Sequence, residues 1–171
     1  MTQWVDQLKE TIPDYAKDTR LNVDSVIKRS TLDPDVAESC ALAAAFATGN
    51  TKLWTWIQSQ ISNQTEAVAA ITAASLMSMN NTWYPYVEMA DDENLKGLPA
   101  QLRMNAIASH GGTTKARFEA YSLAASIVGK CEFCISAHYK GLKEMGYTVE
   151  QLRDIGRIAA VMNSVAKVLN S

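Results

Sequence analysis

Residues 109–142, SHGGTTKARFEAYSLAASIVGKCEFCISAHYKGL, carry stop and start signals for consecutive helices and no strand signal. Gly111 or Gly112 ends one helix and Thr113 or Thr114 caps the next, since a threonine hydroxyl accepts from a first-turn N–H. The run from there to Gly129 is apolar without alternation, which predicts a buried helix over 114–129. Gly129 is a second stop, and a further helix is expected over 131–145.

The same pattern extends outward. Alanine, leucine, methionine and glutamine dominate, and β-branched residues do not alternate with polar ones. The reading is all-α, with helices expected at about 2–10, 34–48, 51–60, 64–79, 81–90, 99–109, 114–129, 131–145 and 149–169. Asp33 before Pro34 reads as an N-cap with proline at the first helical position. Gly146 reads as a stop, and Thr148 with Gln151 has capping-box spacing. No long linker interrupts the chain, so one helical domain spanning 1–171 is expected.

A weak repeat at about 50 residues suggests an internal duplication of a three-helix unit. Ala73-Ala74-Ser75 lies over Ala124-Ala125-Ser126, and Gln101-Leu102-Arg103 over Gln151-Leu152-Arg153. Asn80 and Trp83 then fall where Cys131 and Cys134 stand in the other copy. The four tryptophans, Trp4, Trp54, Trp56 and Trp83, read as packing and interface anchors.

The chain has 171 residues, a formal net charge of −2 and a pI near 5.7, with no basic excess of the kind nucleic acid demands. The N-terminal MTQWVDQLKETIPDYAKDTRL lacks the basic start and unbroken apolar run of a signal peptide. No apolar run approaches the roughly 20 residues of a membrane span. A cytoplasmic location is expected. Three cysteines in such a chain do not describe a disulfide scaffold. Cys40, within the apolar ESCALAAAFA, reads as an inert core thiol.

Cys131, Cys134 and His138 form the chemical cluster. A structural zinc site wants four ligands, and the only other histidine is His110, with no spacing to recommend it. A catalytic zinc with three ligands stays open. A purely structural staple is disfavoured, because a loop this small removes little unfolded-state entropy. Redox chemistry suits the spacing, since the two thiols stay within reach of each other. Cys131 falls near a helix start, where unpaired N–H groups favour a thiolate. His138, four residues after Cys134, shares its helical face and can take its proton. Cys134 is then the attacking sulfur, passing through a sulfenic acid, and Cys131 resolves it to a disulfide. Cys131 is expected to be the more exposed sulfur and the target of an external dithiol. Glu119, at the head of an apolar helix, is either the group that orients His138 or a first-turn acid favoured by the helix dipole.

FEAYSLAASIVGKCEFCISAH, with Glu119, Cys131, Cys134 and His138, resembles the alkyl hydroperoxide reductase D family. IPDYAKDTRLNV, MNNTWYPY and LRMNAIA also resemble segments of that family. The resemblance implies an all-helical fold with an internal duplication, shared with the carboxymuconolactone decarboxylase superfamily and assembled as a homotrimer or larger ring. It implies an antioxidant thiol peroxidase acting on alkyl hydroperoxides with no bound cofactor or metal. It further implies a peroxiredoxin partner, and electrons delivered as dihydrolipoamide by a lipoylated acyltransferase and its dihydrolipoamide dehydrogenase. The family's sulfenic-acid cysteine falls on Cys134, its proton-donating cysteine on Cys131, and its proton relay on Glu119 and His138. Phe133 departs from the family pattern, which has a histidine there, and Glu132 would raise a neighbouring thiol's pKa. Two other readings remain: a CxxC redox switch or adaptor without turnover, and a decarboxylase-like enzyme using His138 and Glu119 as acid and base.

Overall fold

The structure, a computed structural model describing residues 3–170, is built of helices, with no strand among the described residues. In chain order the α-helices are α1 Gln3–Thr11, α2 Lys17–Lys28, α3 Pro34–Ala47, α4 Thr51–Gln60 and α5 Gln64–Ala90. They continue as α6 Glu93–Lys96, α7 Ala106–Ser109, α8 Lys115–Gly129, α9 Glu132–Glu144 and α10 Val149–Val168. Thr2, the expected first residue of α1, and the chain ends Met1 and Ser171 lie outside the described residues.

The punctuation expected from sequence is in place. The Asp33 carboxylate accepts from the Asp35 N–H at 3.0 Å, with Pro34 opening α3. Thr114, not Thr113, caps α8, accepting from the Arg117 N–H at 3.3 Å. Thr148 and Gln151 form a reciprocal capping box at the head of α10. Gly129 is the last residue of α8, but the left-handed residue is Lys130, at φ 55°. What requires glycine at 129 is proximity. A Cβ there would stand 2.3 Å from Asn81 Nδ2, so any larger residue at 129 forces the Asn81 side chain of α5 to move.

Four elements differ from the sequence expectation, among them the single-turn α6, which was not expected. α2 was not expected, because KDTRLNVDSVIK is polar and of modest helix propensity. Burial of Val23, Val26 and Ile27, an i, i+3, i+4 set, holds it. α5 runs unbroken from Gln64 to Ala90 with Pro85 inside it, where two helices were expected. Proline removes one i→i−4 bond there, and packing of α5 on α3, α8 and α9 outweighs the loss. The helix expected at 99–109 shrinks to α7, because Gly97, Pro99 and a left-handed Gln101 at φ 53° break the preceding stretch. One consequence touches the repeat. Ala73-Ala74 and Ala124-Ala125 are buried in helices that pack together, whereas 101–103 are irregular and 151–153 open α10.

α3 is the centre. Every residue from Val36 to Ala45 is buried, as befits a helix apolar around its circumference. α5, α8 and α10 pack on it, and alanines at the contacts let the backbones approach closely. Cys40 is wholly buried here, and burial pushes its thiol up, so it stays protonated. The Trp4 indole N–H donates to buried Glu38 at 3.1 Å and fastens α1 to α3. Asp154, 1% exposed, accepts from the backbone and hydroxyl of Thr31 and from Arg157, tying α10 to the turn before α3.

Glu66, 6% exposed, is another buried carboxylate that joins helices. It accepts from Thr113 at 2.8 Å, from Arg117 at 2.8 Å and from the Tyr121 hydroxyl, joining α5 to α8. Burial raises its pKa, but the bonds from Tyr121, Arg117 and Thr113 outweigh that and hold it below the ordinary value. A depressed carboxylate contributes stability above its unfolded pKa and loses it as pH falls through the folded one. Glu66→Ala strands the Tyr121 hydroxyl, leaves Arg117 with its longer pair to Asp33 at 3.5 Å, and is expected to cost about 3 kcal/mol in urea unfolding at pH 7. The variant's stability is expected to fall less steeply than wild type below about pH 4. Equal midpoints at pH 7 would show that the cluster contributes nothing.

Candidate active site

The site is assembled at the joint between α8 and α9. After Lys130 reverses the chain, Cys131 becomes the N-cap of α9, with φ −83° and ψ 101°. Its sulfur occupies the place of a capping oxygen and accepts from the Cys134 N–H at 3.3 Å. Cys134 lies one turn into the helix, so the two side chains converge, and they are joined as a disulfide with Cα atoms 5.2 Å apart. The Cys131 sulfur also stands 3.9 Å from the Asn80 carbonyl oxygen of α5. Cys131 is 0% exposed and Cys134 3%, so neither is open to solvent. The expectation that Cys131 is the more exposed is corrected: α5 passes behind the cap and covers it.

Glu119 and His138 are brought together from α8 and α9, with His138 Nδ1 2.6 Å from Glu119 Oε2 and both side chains part-buried. This favours the orienting role for Glu119 over that of a free first-turn acid. His138 lies on the Cys134 face of α9, as the spacing requires, but its Nε2 contacts Met77 Sδ of α5 at 3.1 Å. Met77 was not singled out from sequence, where a methionine in an apolar helix reads as core. His110 is elsewhere. Its ring packs on Phe118, about 16 Å of helix from the Gly129 end of α8 where the cysteines sit. Among the described residues no group of three or more His, Cys, Asp or Glu side chains is arranged to hold a metal ion.

A cleft of about 750 Å³ opens beside the disulfide, between the C-terminal half of α5, the 98–100 loop and the start of α9. Cys131 belongs to its lining, with Trp83, Tyr84, Leu98 and Phe133. Phe133 stacks on Tyr84 with ring centres 4.3 Å apart and remains 59% exposed. An aromatic face therefore stands where a histidine would have offered a proton. Trp4 and Trp56 pack edge to face, Trp54 packs on Phe46, and Trp83 lines the cleft rather than the core. No helix among the described residues is long and apolar enough to cross a membrane.

The site thus consists of a helix-capping CxxC disulfide and a His–Glu pair that bridges α8 and α9, on an all-α frame. The carboxymuconolactone decarboxylase family matches residues 94–171. The alkyl hydroperoxide reductase AhpD of Rhodospirillum centenum is 40% identical over 170 residues, covering 98% of this chain and 91% of that protein. The AhpD of Bradyrhizobium sp. strain BTAi1 is 40% identical, with 98% and 93% covered, and that of Maricaulis maris 39%, with 96% of each. The chain belongs to the alkyl hydroperoxide reductase AhpD family, a family of oxidoreductases.

Proposed function

We propose that this protein reduces alkyl hydroperoxides through the Cys131–Cys134 pair, with dihydrolipoamide as its reductant. The observation that carries the reading is the disulfide at the head of α9 together with His138, on the Cys134 face of that helix, paired with Glu119 of α8. In the reduced state His138 takes the Cys134 proton. The thiolate attacks the distal peroxide oxygen, forming S–O and breaking O–O, and the departing alkoxide takes that proton to leave as alcohol. The Cys131 thiol then attacks the sulfenic sulfur. An S–S bond forms, and hydroxide leaves with the Cys131 proton as water. A dithiol closes the cycle by exchange.

The cleft, which Cys131 lines, gives the arm of a dithiol a route to that sulfur. The reductant fits a lipoyl group on an acyltransferase, recharged by dihydrolipoamide dehydrogenase, and a peroxiredoxin is a second disulfide the pair can serve. Assembly as a homotrimer or larger ring belongs to the same proposal. The direct test is hydroperoxide consumption with dihydrolipoamide as sole reductant in chelated buffer. Turnover is expected. A disulfide that forms and reduces without peroxide loss would turn the reading to a redox switch or a peroxiredoxin reductase. Cys131→Ser is expected to leave a sulfenic acid on Cys134 that dimedone traps, seen as a mass increase at residue 134. Label at no cysteine would remove Cys134 from the attacking role.

A further inference from the structure

His138 has an acceptor on each side of its ring. Nδ1 faces Glu119 Oε2 at 2.6 Å and Nε2 faces Met77 Sδ at 3.1 Å. A thioether sulfur accepts and never donates, and an ionised carboxylate does the same. A neutral imidazole has one N–H. If that hydrogen goes to Glu119, Nε2 turns a bare lone pair onto the sulfur lone pairs. A proton on Nε2 removes the conflict. The Glu119 contact is then satisfied either by a second ring N–H donating to the carboxylate or by a carboxyl O–H donating to Nδ1, and both arrangements hold the same number of protons.

We infer that Met77 is a positioning residue that keeps a proton on Nε2 of His138 while the cysteines are joined. The inference rests on the thiol-redox reading and supplies what its reductive half requires. A dithiol, entering as thiolate, attacks the Cys131 sulfur. A bond forms between the two, the Cys131–Cys134 bond breaks, and the electron pair departs on the Cys134 sulfur, which takes the Nε2 proton as the ring turns that N–H away from Met77 Sδ toward it. The second sulfur of the dithiol then attacks its own partner in the mixed disulfide and releases Cys131 as thiolate. The Cys134 N–H already points at that sulfur from 3.3 Å. The dithiol ends as a disulfide; one of its two protons goes to the Cys131 thiolate and the other to solvent, and Nε2, having given its proton to Cys134, is left unprotonated. His138 is thus an acid in the oxidised protein and a base in the reduced one, and Met77 marks the acid state.

The groups around the ring are few. Glu119 comes from α8 and Met77 from α5, and these are the partners of its two nitrogens. The buried carboxylate of α10, Asp154, is committed to Thr31 and Arg157. Met77 is 1% exposed, so water does not compete for Nε2 from its side.

Nitrogen-15 spectra of the oxidised protein, labelled at its two histidines and assigned with His110→Gln, read the protonation of Nε2 directly. Nε2 is expected to carry its proton at pH 7 in wild type. Met77→Leu conserves volume and removes the acceptor. It is expected to lose the Nε2 proton at lower pH than wild type. The alkaline limb of single-turnover reduction by dithiothreitol should shift in the same direction, and Met77→Gln, which returns an acceptor oxygen, should restore both. A bare Nε2 in the oxidised wild type overturns the inference whether or not the variants fold. An unmoved titration in folded Met77→Leu overturns it equally. The spectra need no peroxide and no turnover, so a failure of the peroxidase reading is seen separately.

Discussion

Cys134→Ser is expected to bring hydroperoxide consumption with dihydrolipoamide to the uncatalysed background. Serine preserves the shape of a side chain that is 3% exposed, but its hydroxyl forms neither a thiolate at neutral pH nor a sulfenic acid. The loss of the disulfide itself is a small structural matter. Cross-links this short contribute about 2 kcal/mol in the chain-entropy treatment, and Cys131→Ser forfeits the same bond. Both single variants lose the same cross-link and differ in chemistry, and their melting points separate any difference in stability, since serine at 131 still caps α9. Cys134→Ser should show neither turnover nor a trappable sulfenic acid, whereas Cys131→Ser should consume about one equivalent of peroxide and stop. Turnover retained in Cys134→Ser would move the attacking role to Cys131, the sulfur that the N-terminus of α9 favours as thiolate. Turnover retained in the double Cys→Ser variant would end the thiol mechanism and leave an acid–base enzyme built on His138 and Glu119.

The joint between α8 and α9 was legible because its signals are local. A hydroxyl at Thr114, the stop at Gly129 and the Cys131–Cys134 spacing each act within a turn of their own position. His138 follows from helical periodicity, and Glu119 became legible once a family pattern accompanied it. What could not be read is what α5 does to the site. The Met77 sulfur reaches His138 across 61 residues of sequence, and the Asn80 carbonyl reaches Cys131 across 51. Neither residue type announces such a contact. The same helix buries the sulfur that spacing had placed at the surface. Gly129 shows how one letter carries two meanings: it reads as a helix stop, and its necessity comes from Asn81 on the neighbouring helix. α2 went unread for a related reason, since its three buried residues are held by α1, α3 and α10 and not by its own propensity.

His138→Phe and Glu119→Gln are expected to slow turnover without abolishing it. A positioned acid–base group contributes about 10²-fold or more, and His138→Phe should lose on the order of that factor in kcat/KM for the peroxide. Glu119→Gln keeps the length and an acceptor oxygen for Nδ1 but removes the charge that supports a protonated ring. Its loss should be smaller, about tenfold. The informative quantity is the double variant. If Glu119 acts only by orienting His138 and stabilising its proton, then with the ring gone the carboxylate has nothing left to act on. The double variant should be no slower than His138→Phe alone, a departure from additivity equal to the whole Glu119 effect. Additive losses would mean that Glu119 touches the reaction by another route, such as a proton passed directly to the cleft. Because the pair is part-buried and lies off the disulfide itself, both variants should keep the wild-type fold and still form the Cys131–Cys134 bond with excess oxidant. That separates a defect in proton handling from a defect in the cysteines, and the dyad stands or falls on the double variant.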